Sequence, residues 1–96
     1  MPKVLDEIDV IAQFKHDGSI IPMRIQMINA AGKAEAFTIK GYRQIIKKGT
    51  YTTVDNIFVT FSTVVFECQI TIDDKLQVVR LYFQPEGHLW LLGMDE

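Results

Sequence analysis

The chain of 96 residues has little of what would place it outside the class of simple soluble domains. It has a single cysteine, Cys68, so no disulfide can close within it, and the stapled framework of small secreted domains is excluded. A reducing compartment follows, and the cytoplasm is the expected location. No run of about 20 apolar residues occurs, so no membrane-spanning helix is expected. The first nine residues carry Asp6, Glu7 and Asp9 where a signal peptide would need an uninterrupted apolar stretch, so none is expected. Internal repeats and low-complexity tracts are missing. So are a Walker loop, a dinucleotide fingerprint and a nucleophile elbow, the short motifs that announce phosphate, cofactor or acyl chemistry. No cofactor is expected. A formal net charge of -2 gives no basic surplus for wrapping a polyanion around the whole surface.

What is present is alternation. Apolar side chains make up 48% of the sequence, enough to fill one core, and a chain this short buries roughly 60 to 70% of its unfolded surface as one domain. The spacing of those side chains is close to two, the period of a half-buried strand. Ile8, Val10, Ala12 and Phe14 form one face of a first strand. The turn at His16, Asp17, Gly18 and Ser19 leads to a second, whose inner face is predicted as Ile21, Met23, Ile25 and Met27. Pro22, lacking a donor, belongs at an edge or a bulge.

A break over residues 29–33 precedes a third strand built on Glu35, Phe37 and Ile39. Residues 41–48 alternate as a strand, although Gly41 and Gly49 would equally bracket one helical turn; strand is the preferred reading. Residues 57–72 form a long segment with a break near Ser62 and Thr63. Val64, Phe66, Cys68, Ile70 and Ile72 line one of its faces. Asp73 and Asp74 turn the chain into a strand carrying Val79, Leu81 and Phe83, and Pro85, Glu86 and Gly87 turn it again toward Trp90. The expected fold is all-β (mainly β): a single domain over residues 1–96, a small six- or seven-stranded antiparallel barrel or sandwich with room for one short helical turn.

Three motifs run through most of the chain: Phe14-x-x-Asp17-Gly18-x-Ile20-x-Pro22, Phe66-x-Cys68-x-Ile70, and Leu81-x-Phe83-x-x-Glu86-Gly87-x-x-Trp90. In their order they resemble a group of short uncharacterised bacterial all-β proteins, from which the sequence departs between Gly41 and Val65. The resemblance implies a small β domain of unassigned function and no catalytic residues.

Candidate chemistry is sparse. Cys68 as a nucleophile would need His16 or His88 as its base, but it stands in phase with Phe66 and Ile70, where a free cysteine behaves as a small core hydrophobe. His16, Asp17, Asp73, Asp74 and His88 include ordinary metal ligands, yet all lie in turns with no ligand spacing, and a hydrated turn accounts for them. No metal is expected. The neighbouring acids Asp6 and Glu7, and Asp73 and Asp74, do not face each other as a catalytic carboxylate pair must. The expectation is therefore that the protein is not an enzyme.

Charge is uneven. Between residues 33 and 54 stand Lys33, Lys40, Arg43, Lys47 and Lys48 against Glu35 alone, with Phe37, Tyr42 and Tyr51 interleaved; the rest of the chain is acidic on balance. Three readings account for that pattern. Basic residues are ordinary on a solvated face and discourage edge-to-edge pairing. Lys40, Tyr42, Arg43, Lys47, Lys48 and Tyr51 also make a candidate partner surface, for a protein or a second copy in a homodimer, by charge complementarity. The third is a basic, aromatic-lined groove for single-stranded nucleic acid. A non-enzymatic binding or protein-interaction module leads, with nucleic-acid binding through the basic 33–51 segment as its alternative.

Overall fold

The computed structural model describes residues 2–29 and 31–95. Met1, Ala30 and Glu96, which entered the sequence reading through the N-terminal segment, the 29–33 break and the charge balance, lie outside the described residues. Ten strands follow in order: β1 (Pro2–Leu5), β2 (Ile8–Phe14), β3 (Ile20–Ile28), β4 (Ala34–Thr38), β5 (Gly41–Ile45), β6 (Tyr51–Thr52), β7 (Phe58–Val59), β8 (Val64–Ile72), β9 (Lys75–Gln84) and β10 (Leu89–Asp95). All pairings are antiparallel, in a five-stranded sheet of order β1-β10-β9-β8-β5, a three-stranded sheet β2-β3-β4 and a small hairpin β6-β7. The protein is thus mainly β and antiparallel, and its sheets are not closed into a barrel. No helix among the described residues is long and apolar enough to cross a membrane.

The count of ten corrects the expected six or seven. Part of the difference is that single stretches of chain serve two sheets. At the corner after β4, Ile39 N–H donates to the Met23 carbonyl of the three-stranded sheet, and Lys40 N–H donates to the Gln69 carbonyl of the five-stranded one. β1 and β2, separated by Asp6 and Glu7, likewise pair in different sheets. The only helical turn among the described residues is a 3-10 turn at Pro85–Gly87; of residues 41–48, for which strand is the preferred reading, 41–45 are strand and 46–48 are not.

Turn chemistry follows the sequence. Asp17 Oδ1 accepts from the Ser19 amide at 2.9 Å, and Gly18 takes φ +92°, which an L side chain rarely adopts. Asp73 and Asp74 both have positive φ, the requirement of a two-residue type I′ hairpin, and Asp tolerates it better than bulkier residues.

Ile25, Met27, Phe66, Cys68, Ile70, Val79, Leu81 and Leu92 make the main core, so β3 packs on the faces of β8, β9 and β10. The 66, 68, 70 and 79, 81 alternations hold. That of β3 does not. Between Ile11 and Ala12 the register with β3 slips by one, pairing Ile11 with Arg24 but Ala12 with Pro22. This bulge at Met23 inverts the inward phase, as a one-residue slip must. Pro22 is buried and Met23 is 49% exposed, the reverse of their expected placement. Phe14, expected on the inner face, is 59% exposed although its ring meets Phe83 edge-on at 5.6 Å, and Phe83 in turn packs on Trp90 at 4.6 Å.

A second layer covers the opposite face of the five-stranded sheet. Val65, Tyr82, Ile57 and Val59 are buried together, with Ile45, Tyr51 and Leu91 against them, so the β6-β7 hairpin caps β8, β9 and β10 from outside. Burying each large side chain contributes about 1.5 to 3 kcal/mol, and two covered faces explain why Val65 and Tyr82 are buried as Phe66 and Leu81 are.

Candidate functional site

The hairpin is fastened by one carboxylate. Thr53 Oγ1 accepts from the Asp55 and Ile57 amides at 3.3 and 3.4 Å, Thr53 N–H donates to Ile57 O, and Asn56 takes φ +59°. This tight turn drives Asp55 down onto the sheet, where its side chain is fully buried. Arg80 Nε and an Nη donate to its two oxygens at 2.8 Å each, the two-pronged geometry that makes Arg–carboxylate pairs strong. Tyr82 O–H donates to Asp55 Oδ2 and lies 3.0 Å from Thr53 Oγ1. A further Arg80 contact reaches Asp95 at 3.2 Å. Gly93, opposite Arg80 in β10, lies directly beneath the Asp55 carboxylate, and a Cβ there would occupy the same space.

Burial alone would raise the Asp55 pKa, but the hydrogen bonds from Arg80 and Tyr82 and the charge of Arg80 outweigh it and hold the carboxyl below the ordinary range. Burial and the Asp55 bond push the Tyr82 phenol well upward, keeping it a donor. Because the folded-state value of Asp55 is depressed, its stabilisation is fully present above the unfolded value near 3.9 and is lost as pH falls through the lower folded value. Thermal melts from pH 7 downward should therefore show a steep loss below about pH 4 that is shallower in Asp55→Asn. Parallel profiles for the two proteins would remove Asp55 as the cause.

Between the hairpin and the sheet lies an open cleft of about 610 Å³, lined in part by Arg43, Lys47, Tyr51, Glu67 and Arg80. β5 forms one wall. The strand ends the five-stranded sheet, paired with β8 on one side only. Its alternation divides the basic and aromatic set read from the sequence. Arg43 faces the hairpin side and pairs with Glu67 at 2.9 Å, with 70% of its side chain exposed. Lys47 Nζ stands 4.8 Å above the half-buried Tyr51 ring on the same side. Tyr42 points the other way, its ring edge-on to Phe66 at 6.0 Å, and shares a separate groove with Lys40. Lys48 is exposed in the loop after β5 and lines neither. The structure thus gathers Arg43, Lys47 and Tyr51 at the cleft, brings Tyr42 beside Arg43 only at a neighbouring depression with Glu67, and leaves Lys40 and Lys48 apart from them.

Beyond that set, Ile46 and Phe61 are 82% and 88% exposed and share a depression of about 220 Å³ at the end of β5. Neither these two residues nor Asp55, Thr53, Arg80 and Gly93 belong to the charged and aromatic set that the sequence singles out. The available signal for the latter group was Arg80 within the apolar run Val78 to Phe83, since a charge buried there requires a partner.

Cys68 is fully buried in the main core, where burial and then the nearby Glu67 charge push its thiol up to about 12. A thiol so placed is a poor nucleophile. Ellman's reagent should leave the native protein unmodified and label one thiol after denaturation; rapid labelling of native protein would contradict this burial. Among the described residues no three His, Cys, Asp or Glu side chains gather where a metal could be held.

The fold and site define an antiparallel β protein with a latched hairpin and a free strand edge. No protein-family model, no curated protein and no solved structure matches the chain.

Proposed function

We propose that the protein is a non-enzymatic protein-interaction module, a small β sandwich that receives an extended segment of a partner along β5. The observation that carries this reading is the free edge of that strand, whose unpaired backbone groups are the ordinary acceptor for an added strand. Ile46 and Phe61 beside it supply apolar anchors of the kind that contribute most at protein interfaces. A single buried thiol suits the reducing cytoplasm.

Single-stranded nucleic acid remains the second reading, favoured by the meeting of Arg43, Lys47 and Tyr51 at one cleft. Against it, Lys47 already occupies one face of the Tyr51 ring, on which a base would stack. Capture from lysate of the source cells on immobilised wild type and on an Ile46→Asp, Phe61→Asp variant separates the two. A protein retained by wild type and lost from the variant is the expected result. Identical capture on both, or retention of nuclease-sensitive material alone, would overturn the interaction reading.

A further inference from the structure

The free edge of β5 does not stand alone. From the corner at Ile39 and Lys40 two strands diverge with unpaired edges on the same side of the molecule. β3 pairs with β4 from Arg24 to Ile28 and accepts the Ile39 amide at the Met23 carbonyl, so among the described residues its stretch from Ile20 to Pro22 is bonded to β2 alone. Among the described residues β5 is bonded to β8 alone. Between them runs a groove of about 510 Å³, with Ile21, Pro22 and Met23 on one wall and Gly41 and Tyr42 on the other. Pro22 removes a backbone donor from the β3 wall, so the hydrogen-bonding ladder on offer is that of β5. Half-exposed Met23 and Tyr42 provide an adaptable and a rigid apolar surface for alternate side chains of an inserted strand.

Charge selects the occupant. Lys40 lines the groove, Arg43 follows on β5, Lys47 and Lys48 continue the chain, and β5 itself contains no acid. Pairing β5 with β5 of a second copy would bring these cations against one another, and a two-fold axis at Arg43 would set guanidinium opposite guanidinium. Like charges directly opposite in a ladder are destabilising. Resting on the interaction-module reading, we propose that the groove takes an acidic extended segment of a partner protein, its backbone laddered on β5, with a carboxylate on its groove face reaching Lys40 and one on its opposite face reaching Arg43.

Fluorescence polarisation with short labelled Val-Glu, Val-Ser and Val-Lys peptides, their two polar residues set three positions apart so that one falls on each face of the strand, and with a labelled oligothymidine, tests this on the full chain. The Val-Glu peptide should bind about tenfold more tightly than Val-Ser at low salt, as two charge pairs predict, with the margin shrinking as salt is added. In a Lys40→Glu, Arg43→Gln variant, whose folding is checked by its melting curve, the margin should vanish while Val-Ser binding persists. Equal binding of Val-Glu and Val-Ser to wild type would overturn the acidic partner and leave the strand edge standing. Failure of every peptide to bind would overturn both. Oligothymidine binding tighter than Val-Glu, and lost in the variant, would replace the proposed partner with nucleic acid.

Discussion

Replacing Asp55 with alanine should cost about 3 kcal/mol of stability, a fall of roughly 15 °C in Tm for a domain of this size. Asp55 is the one buried charged side chain among the described residues, and it holds together elements 25 and 27 residues away in sequence, Arg80 and Tyr82. Its removal leaves Arg80 a partly buried cation without its two-pronged acceptor, and breaking a buried pair from one side typically costs 3 to 5 kcal/mol. The lower end applies because Arg80 keeps Asp95 and some access to water. Tyr82→Phe, which deletes only one donor to the same carboxylate, should cost about 1 kcal/mol. Denaturant or thermal melts measure both. An Asp55→Ala protein as stable as wild type would mean that the hairpin is held by Ile57, Val59 and Tyr82 packing alone.

A methyl group at Gly93 should be about as damaging. Gly93→Ala adds a Cβ where the Asp55 carboxylate lies, and the carboxylate cannot retreat without giving up Arg80. Overpacking of this kind costs about 1 to 3 kcal/mol, and displacing the ion pair adds to it, so about 3 kcal/mol is expected. Gly41→Ala is the control, because its new Cβ would meet only the mobile end of Gln69 at 3.2 Å and the change should be nearly neutral. In an Asp55→Ala background the space is vacated, and Gly93→Ala should then cost less than about 1 kcal/mol. Such non-additivity is the signature of two residues competing for one volume. Additive losses would show that Gly93 is needed for some reason other than room for Asp55.

How far the sequence disclosed this architecture depends on where two-residue periodicity is the deciding force. It governs β8 and β9, where Phe66, Cys68, Ile70, Val79 and Leu81 face the core as their spacing predicts. The Asp17 and Gly18 turn and the paired positive φ of Asp73 and Asp74 were equally legible, because the chemistry is local. At Met23 a single inserted residue inverts the phase, and nothing in an apolar run of Ile20, Ile21, Pro22 and Met23 fixes which way it slips, although Pro22 marked the neighbourhood. The outer layer was hidden because Val65, Tyr82 and Leu91 look like the solvent face of strands already buried on the other side.

The site was legible only in part. Charge clustering located the β5 region, but alternation along the strand turned Arg43 to the cleft and Tyr42 away from it, so one linear patch became two surfaces. The Asp55 latch is a contact between distant positions. Sequence could show that Arg80 wants a partner but not which acid supplies it.

The free edge of β5 is most directly tested by amide hydrogen exchange of the protein alone, read residue by residue from Gly41 to Ile45. Amides turned toward β8 should be protected while their neighbours, turned outward, exchange at rates close to those of loop residues. Uniform protection across all five would show that the edge is already covered, leaving no strand for a partner to join.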